Sequence, residues 1–188
     1  MEKLRSDLFD WSESLNSFHL PRWEELPTLE LYMDQVITLI DQYLSPVIQS
    51  EKHSLLTSSM VNNYVKKGMI PPPEKKRYNQ KHLAFLIAIT MLKQVLTIPE
   101  IKTGILFQGK VVGIRNAYNL FCEEQEKAIW TDCQEAAGSK EAVSTDPIPV
   151  ELIAIKGATR SFANKLLAEK TIELEVNYLE THKGESHE

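Results

Sequence analysis

Residues 65–83 read VKKGMIPPPEKKRYNQKHL. One glycine, three consecutive prolines and six cations share this stretch, in a chain whose formal net charge is −5. Gly68 is a helix stop, because it enters the left-handed region without a Cβ penalty. Pro71, Pro72 and Pro73 fix φ and offer no N–H, so neither helix nor sheet ladder continues through them. Asn79 is a good helix N-cap. The stretch therefore reads as a helix end, a stiff basic turn and a helix start.

Working back from Gly68, Thr57 caps a helix containing SSMVNNYVKK. Met60, Val61, Tyr64 and Val65 fall on one face. Ser58, Ser59, Asn62, Asn63 and Lys66 fall on the other. Small amides and hydroxyls are poor helix formers, so a face made of them is unusual for a merely solvated surface. Working forward, Asn79 caps a helix to about Leu96. Between Leu83 and Leu96, 11 of 14 residues are apolar. A helix apolar on most sides lies at the centre of a core. His82, in its first turn, reads as a surface residue. Next comes TIPE, in which Thr97 caps, Pro99 suits the first turn and Glu100 completes a capping box.

The remainder also carries helical periodicity, and glycine is sparse, so the chain reads as all-α. Asp7 to Leu15 predicts a short helix. HLPRWEELPT is broken by Pro21 and Pro27. Thr28 reads as the cap of an amphipathic helix with Leu29, Met33, Val36, Ile37, Ile40 and Leu44 at spacings of three and four, ending near Pro46. Another helix is expected over Val111 to Trp130. GSKEAVSTDPIP reads as a polar linker. A last helix starts near Pro149 and runs to Leu179, although TIELEVNY alternates like a strand. The tail THKGESHE reads as disordered. Three regions follow: an N-terminal helical arm at 1–27, a core at 28–107, and C-terminal helices at 108–188 with a linker near 138–149.

At 188 residues, with 43% hydrophobic and 25% charged residues, the composition is that of a globular protein with a real core. The chain lacks the apolar core of a signal peptide and any run near the ~20 apolar residues of a membrane span. Together with only two cysteines, Cys122 and Cys133, this predicts reduced thiols and a cytoplasmic location. Six cations against Glu74 give residues 57–82 a balance of +5, leaving −10 elsewhere. Basic charge confined to one place is the footprint of a binding patch.

Gly104 to Val111, GILFQGKV, matches G-x-x-x-x-G-K. Val111 occupies the place of the magnesium-binding hydroxyl, and the segment follows a helix where a P-loop follows a strand. It reads as a helix end and turn, with Ile105, Leu106 and Phe107 in a core. The five histidines lack metal-ligand spacing, and neither a G-x-S-x-G elbow nor a Cys-His pattern is present. No cofactor, metal or enzymatic activity is expected.

Residues 57–105, TSSMVNNYVKKGMIPPPEKKRYNQKHLAFLIAITMLKQVLTIPEIKTGI, resemble the winged helix-turn-helix of MerR-like transcription regulators. Tyr64, the Gly68-Met69-Ile70-Pro71 turn, Arg77-Tyr78 before Asn79, and LTIPEIK carry the likeness. The longer stretch from LPRWEELP through IPEIK is similar to an uncharacterised bacterial family, domain of unknown function 1836. The MerR-like resemblance implies double-stranded DNA binding. Ser58, Ser59, Asn62, Asn63, Tyr64, Lys66 and Lys67 would belong to a groove-entering helix. Lys75, Lys76 and Arg77 would hold phosphates from a short proline-rich wing. Asn62-Asn63-Tyr64 stands where that family has Arg-Tyr-Tyr. The rival readings are an interaction module of the same fold without DNA binding, and a small-molecule sensor with a pocket between the core and the C-terminal helices. A homodimer is expected through the last helix, where Leu152, Ala163, Leu167, Leu174 and Tyr178 share a face broadened by Ile155, Phe162 and Leu166.

Overall fold

A computed structural model describes residues 2–48, 55–138 and 148–182. Its elements are helical: α1 (Glu2–Ser14), α2 (Met33–Leu44), α3 (Ser58–Lys66), α4 (Gln80–Leu92), α5 (Ile98–Val111), α6 (Ile114–Ala136) and α7 (Ile153–His182). Short 3-10 turns at Trp23–Glu25 and Val150–Leu152 complete the set. Among the described residues there is no strand, only two isolated antiparallel bridges, Leu31 with Tyr78 and Glu74 with Arg77. Most of the linker and all of the tail beyond His182 lie outside the described residues.

The fold is built round α4. Leu83, Leu86, Ile87, Ile89 and Met91 are fully buried, each worth about 1.5–3 kcal/mol of burial. They lie on every side of the helix, so α4 needs cover all round. It packs against α2, α6 and α7. His82 is not at the surface: it is 3% exposed. Tyr78 packs edge-on against it at 5.3 Å, and the Asn79 N–H donates to its Nδ1 at 3.1 Å. A first-turn position on a helix buried on all sides is still interior.

α6 and α7 lie side by side and run in the same sense. Their N-terminal ends line one cavity, Lys156 pairs with Glu124 at 3.1 Å, and Gln125 donates to the Thr159 carbonyl at 3.3 Å. Ala158, Thr159, Phe162 and Ala163 of α7 are buried. α1 packs against both helices. The TIELEVNY alternation is helical, since α7 continues through it to His182.

The segment between α1 and α2 is fastened to α6. Arg22 holds Glu126 with both terminal nitrogens, at 2.7 and 2.5 Å, and the Leu20 N–H donates to the same carboxylate at 2.6 Å. That paired carboxylate raises the Arg22 pKa further. Tyr118 donates its hydroxyl to the Pro21 carbonyl at 2.8 Å.

Three other expectations are corrected. Thr28 does not cap α2, which begins at Met33, because Leu31 is extended and bridges Tyr78. α5 runs unbroken through GILFQGKV to Val111, and the turn falls at Val112 and Gly113, whose φ is +81°. α6 therefore begins at Ile114 and is 23 residues long. Leu106 and Phe107 are each 51% exposed, because α5 covers the core with only one side.

Candidate nucleic-acid interface

α3 begins as its sequence dictates. Thr57 is extended at φ −126°, and its Oγ1 accepts the Met60 N–H at 3.2 Å. This satisfies one of the donors left free in the first turn. Just upstream, Lys93 of α4 donates Nζ to the Leu55 carbonyl at 2.5 Å. Burial lowers the pKa of that lysine. The contact fixes where α3 starts relative to the core helix.

Val61 and Tyr64 turn inward and are buried. Tyr64 thus departs from the expected surface: its side chain is a packing group, 3% exposed, and burial raises its pKa. Ser58, Ser59, Asn62, Asn63, Lys66 and Lys67 are all exposed. The side chains of Ser58, Ser59, Asn62 and Asn63 make no hydrogen bond to another described residue. Four sets of donors and acceptors therefore face solvent along one side of a short helix.

The C-terminus of α3 closes in a Schellman motif. The Gly68 N–H donates to the Val65 carbonyl and the Met69 N–H to the Tyr64 carbonyl, each at 2.9 Å, with Gly68 at φ +64°. Lys102 of α5 donates Nζ to the Lys67 carbonyl at 2.5 Å, where a cation also complements the helix dipole. Lys66, Lys67 and Lys102 therefore gather at one helix end. Lys102 was not among the residues singled out from sequence. It sits in an ordinary helical pattern, and only the packing of α5 against the end of α3 brings it there.

After the prolines the chain makes a two-residue hairpin turn. The Arg77 N–H donates to the Glu74 carbonyl at 2.8 Å, and Lys75 and Lys76 lie between them at φ +48° and +62°. Positive φ at both central positions is the mark of a type I′ turn, which favours Asn-Gly. Lysine there carries the steric cost of a Cβ in the left-handed region. Both lysines are exposed at the tip. Arg77 packs its guanidinium over the Tyr32 ring, 4.8 Å from the centroid, and donates to the Tyr32 hydroxyl at 3.0 Å. Most of its donors remain free. The turn is anchored by two hydrogen bonds between Leu31 and Tyr78, at 2.8 and 2.9 Å, and behind it by buried His82. Burial holds the His82 pKa below its usual value, although the Pro71 and Pro72 carbonyls beside the ring favour its charged form.

The arrangement presents a polar helix face and, beyond a glycine stop, a rigid basic tip. The sequence pattern of a domain of unknown function, DUF1836, matches residues 21–121. The chain belongs to this family. The matched segment runs from Pro21 to Phe121 and so contains α2 to α5, the basic turn and the first two turns of α6. α1 and α7 lie outside it. Neither a curated protein nor a solved structure matches the chain. No helix among the described residues is long and apolar enough to cross a membrane.

Proposed function

We propose that α3 and the basic turn form a DNA-binding surface of the winged helix-turn-helix type, and that the protein is a transcription regulator. α2 and α3 are the helix pair, α3 is the groove-entering member, and Glu74 to Arg77 is a minimal wing. The observation that carries this reading is the turn itself. Two exposed lysines occupy left-handed positions where asparagine and glycine are more stable, in the most basic part of an acidic chain. A charge that serves nothing at such a position is a cost; phosphate oxygens give it a use.

The division of labour follows from chemistry. Lys66, Lys67, Lys75, Lys76, Arg77 and Lys102 supply affinity that is blind to sequence, because each phosphate contact releases counterions. Asn62 and Asn63 supply discrimination, because an amide pairs with the N6 and N7 edge of adenine in the major groove. Ser58 and Ser59 sit at the N-terminus of α3, which points its free amides at a phosphate. A single unit of this size reads few base pairs, so binding as a pair over two half-sites is expected.

The test is fluorescence anisotropy with the full chain against labelled fragments of genomic DNA, at low and then rising salt. With about three to four phosphate contacts, log affinity falls against log salt with a slope of roughly −3. Asn62→Ala and Asn63→Ala change which fragments are preferred and leave the salt slope in place. If no fragment binds at low salt, the protein is not a DNA-binding regulator, and the interaction-module reading takes its place.

A further inference from the structure

Between α4, α5 and the N-terminal ends of α6 and α7 lies an open-mouthed cavity of about 840 Å³. That is within the range of small-molecule sites. Phe85, Leu92, Val95, Ile105, Phe121 and Ile155 supply much of the wall. Its inner side is core, with Ala84, Ile101, Tyr118 and Phe121 all buried. Water in a space with such walls is poorly hydrogen-bonded and easily displaced.

The polar wall groups are mostly occupied. Glu100 accepts from the Thr97 N–H and hydroxyl, each at 2.7 Å. Thr103 and Ser161 donate to backbone carbonyls of their own helices, at 3.0 and 2.8 Å. The Tyr118 hydroxyl is used by Pro21. Gln108 is the exception. It is 7% exposed, and its Nε2 donates to the Glu151 carbonyl at 2.6 Å, but its Oε1 has no partner. That oxygen is closed off from solvent, so it offers no acceptor to the cavity. Among the described residues no lysine, arginine or histidine lines the cavity, whereas Glu100 and Glu151 do. A carboxylate ligand would find repulsion and no counter-ion.

Three glycines, Gly104, Gly109 and Gly157, also line the cavity, each inside a helix. Glycine is the poorest helix former apart from proline. None of the three has a positive φ, and a Cβ on Gly104 or Gly157 meets nothing within 4 Å. Neither backbone conformation nor packing therefore requires glycine at 104 or 157. What its small size does there is leave the cavity open.

We infer that this cavity is a binding site for a largely apolar small molecule that carries no anionic group. The inference is independent of DNA binding, since the cavity and the basic turn share no residue.

The experiment uses the full chain and N-phenyl-1-naphthylamine, a neutral aromatic amine with a single N–H that fluoresces strongly in apolar surroundings. Saturable binding at one probe per chain is expected, with displacement by 1-decanol at least tenfold more effective than by decanoate. Gly104→Leu and Gly157→Leu fill open space on good helix positions. They should melt no lower than the parent chain and lose probe affinity at least tenfold. The absence of saturable binding overturns the inference. So does equal binding by both leucine variants, which places the probe elsewhere. Probe affinity that falls as protein concentration rises shows that a second copy covers the cavity, and it overturns the inference too. Tighter displacement by decanoate than by decanol refutes the stated class.

Discussion

The double substitution Lys75→Asn, Lys76→Gly sets the stability of the basic turn against its proposed use. In the left-handed region a Cβ costs roughly 1–2 kcal/mol per residue, and asparagine and glycine are the residues that best tolerate it. Relieving φ values of +48° and +62° should stabilise the fold by about 1–2 kcal/mol. A chain of this size gains about 2–4 °C in Tm per kcal/mol, so a rise of about 2–8 °C is expected in a calorimetric melt. The same change deletes two cations. If both contact phosphate, the salt slope loses about 0.9 for each, moving from roughly −3 to roughly −1. Lys75→Arg, Lys76→Arg is the control: it keeps the charge and the strain, and should alter neither readout much. A higher Tm with an unchanged salt slope would show that the lysines touch no phosphate, removing the observation on which the DNA reading stands. A lower Tm would show that the turn is not strained.

Four further outcomes are expected. Removing one partner of the bidentate Arg22–Glu126 pair, with side chains 23% and 20% exposed, strands a half-buried charge; Glu126→Ala should cost about 2–3 kcal/mol in urea unfolding followed by tryptophan fluorescence, and a double-mutant cycle with Arg22→Met should show coupling of at least about 1 kcal/mol, additivity being the refuting result. His82 has its folded-state pKa depressed, so the unfolded chain binds the proton first, and stability should fall as pH drops below the unfolded value of about 6.5. His82→Gln should flatten that part of the Tm-against-pH curve, and an unchanged slope would exclude His82 as its source. Asp132 is the opposite case, its pKa pushed up to about 6 by burial and by Glu135, with Oδ2 unpartnered. It costs stability as pH rises from 4 to 6, so Asp132→Asn should be the more stable form at pH 7.5 by about 1 kcal/mol after allowance for solvent screening, and a destabilised variant would contradict this. On the α7 face expected to pair two copies, Phe162 and Ala163 are buried within the chain, so pairing would fall to another side of α7, where Ile172, Val176 and Leu179 are 58, 47 and 62% exposed; if the chain pairs through them, Ile172→Glu with Val176→Glu gives a monomer of unchanged Tm by light scattering, and a parent chain that is monomeric at tens of micromolar excludes the pairing.

Local rules were enough to read the caps. Thr57, Asn79 and Glu100 make their bonds within three residues, and Gly68 ends α3 where its missing Cβ allows. The centrality of α4 was equally legible, since a helix apolar on every side has only one place to go. What sequence did not disclose depends on partners far along the chain. Leu29 to Leu31 look like the start of a helix until Tyr78, 47 positions on from Leu31, supplies the bridge. His82 reads as polar and exposed until the turn folds over it. Leu106 and Phe107 read as core, yet α5 has only one covered side. At the candidate interface the exposed amides of α3 followed from periodicity, whereas Lys102 joined them only through packing, and no local signal marks two lysines as occupying a turn better suited to asparagine and glycine.

The position of α1 has a consequence for synthesis. Its partners are α6 and α7, which leave the ribosome after it, so α1 waits for both before it docks. At about 5–20 residues per second, the 99 residues between α1 and α6 and the 138 between α1 and α7 take roughly 5–28 s to appear. Through that interval Trp11 and Leu15, which end up against the core, have nothing to pack on. α2 packs on α3 and α4 and can gather with them as they emerge, whereas α4 still lacks α6 and α7, and α5 lacks α6. The nascent chain therefore carries an undocked amphipathic helix and a core helix that is only partly covered. For that time it is a client for any holding chaperone that recognises short amphipathic segments, and the core closes only when α6 and α7 arrive.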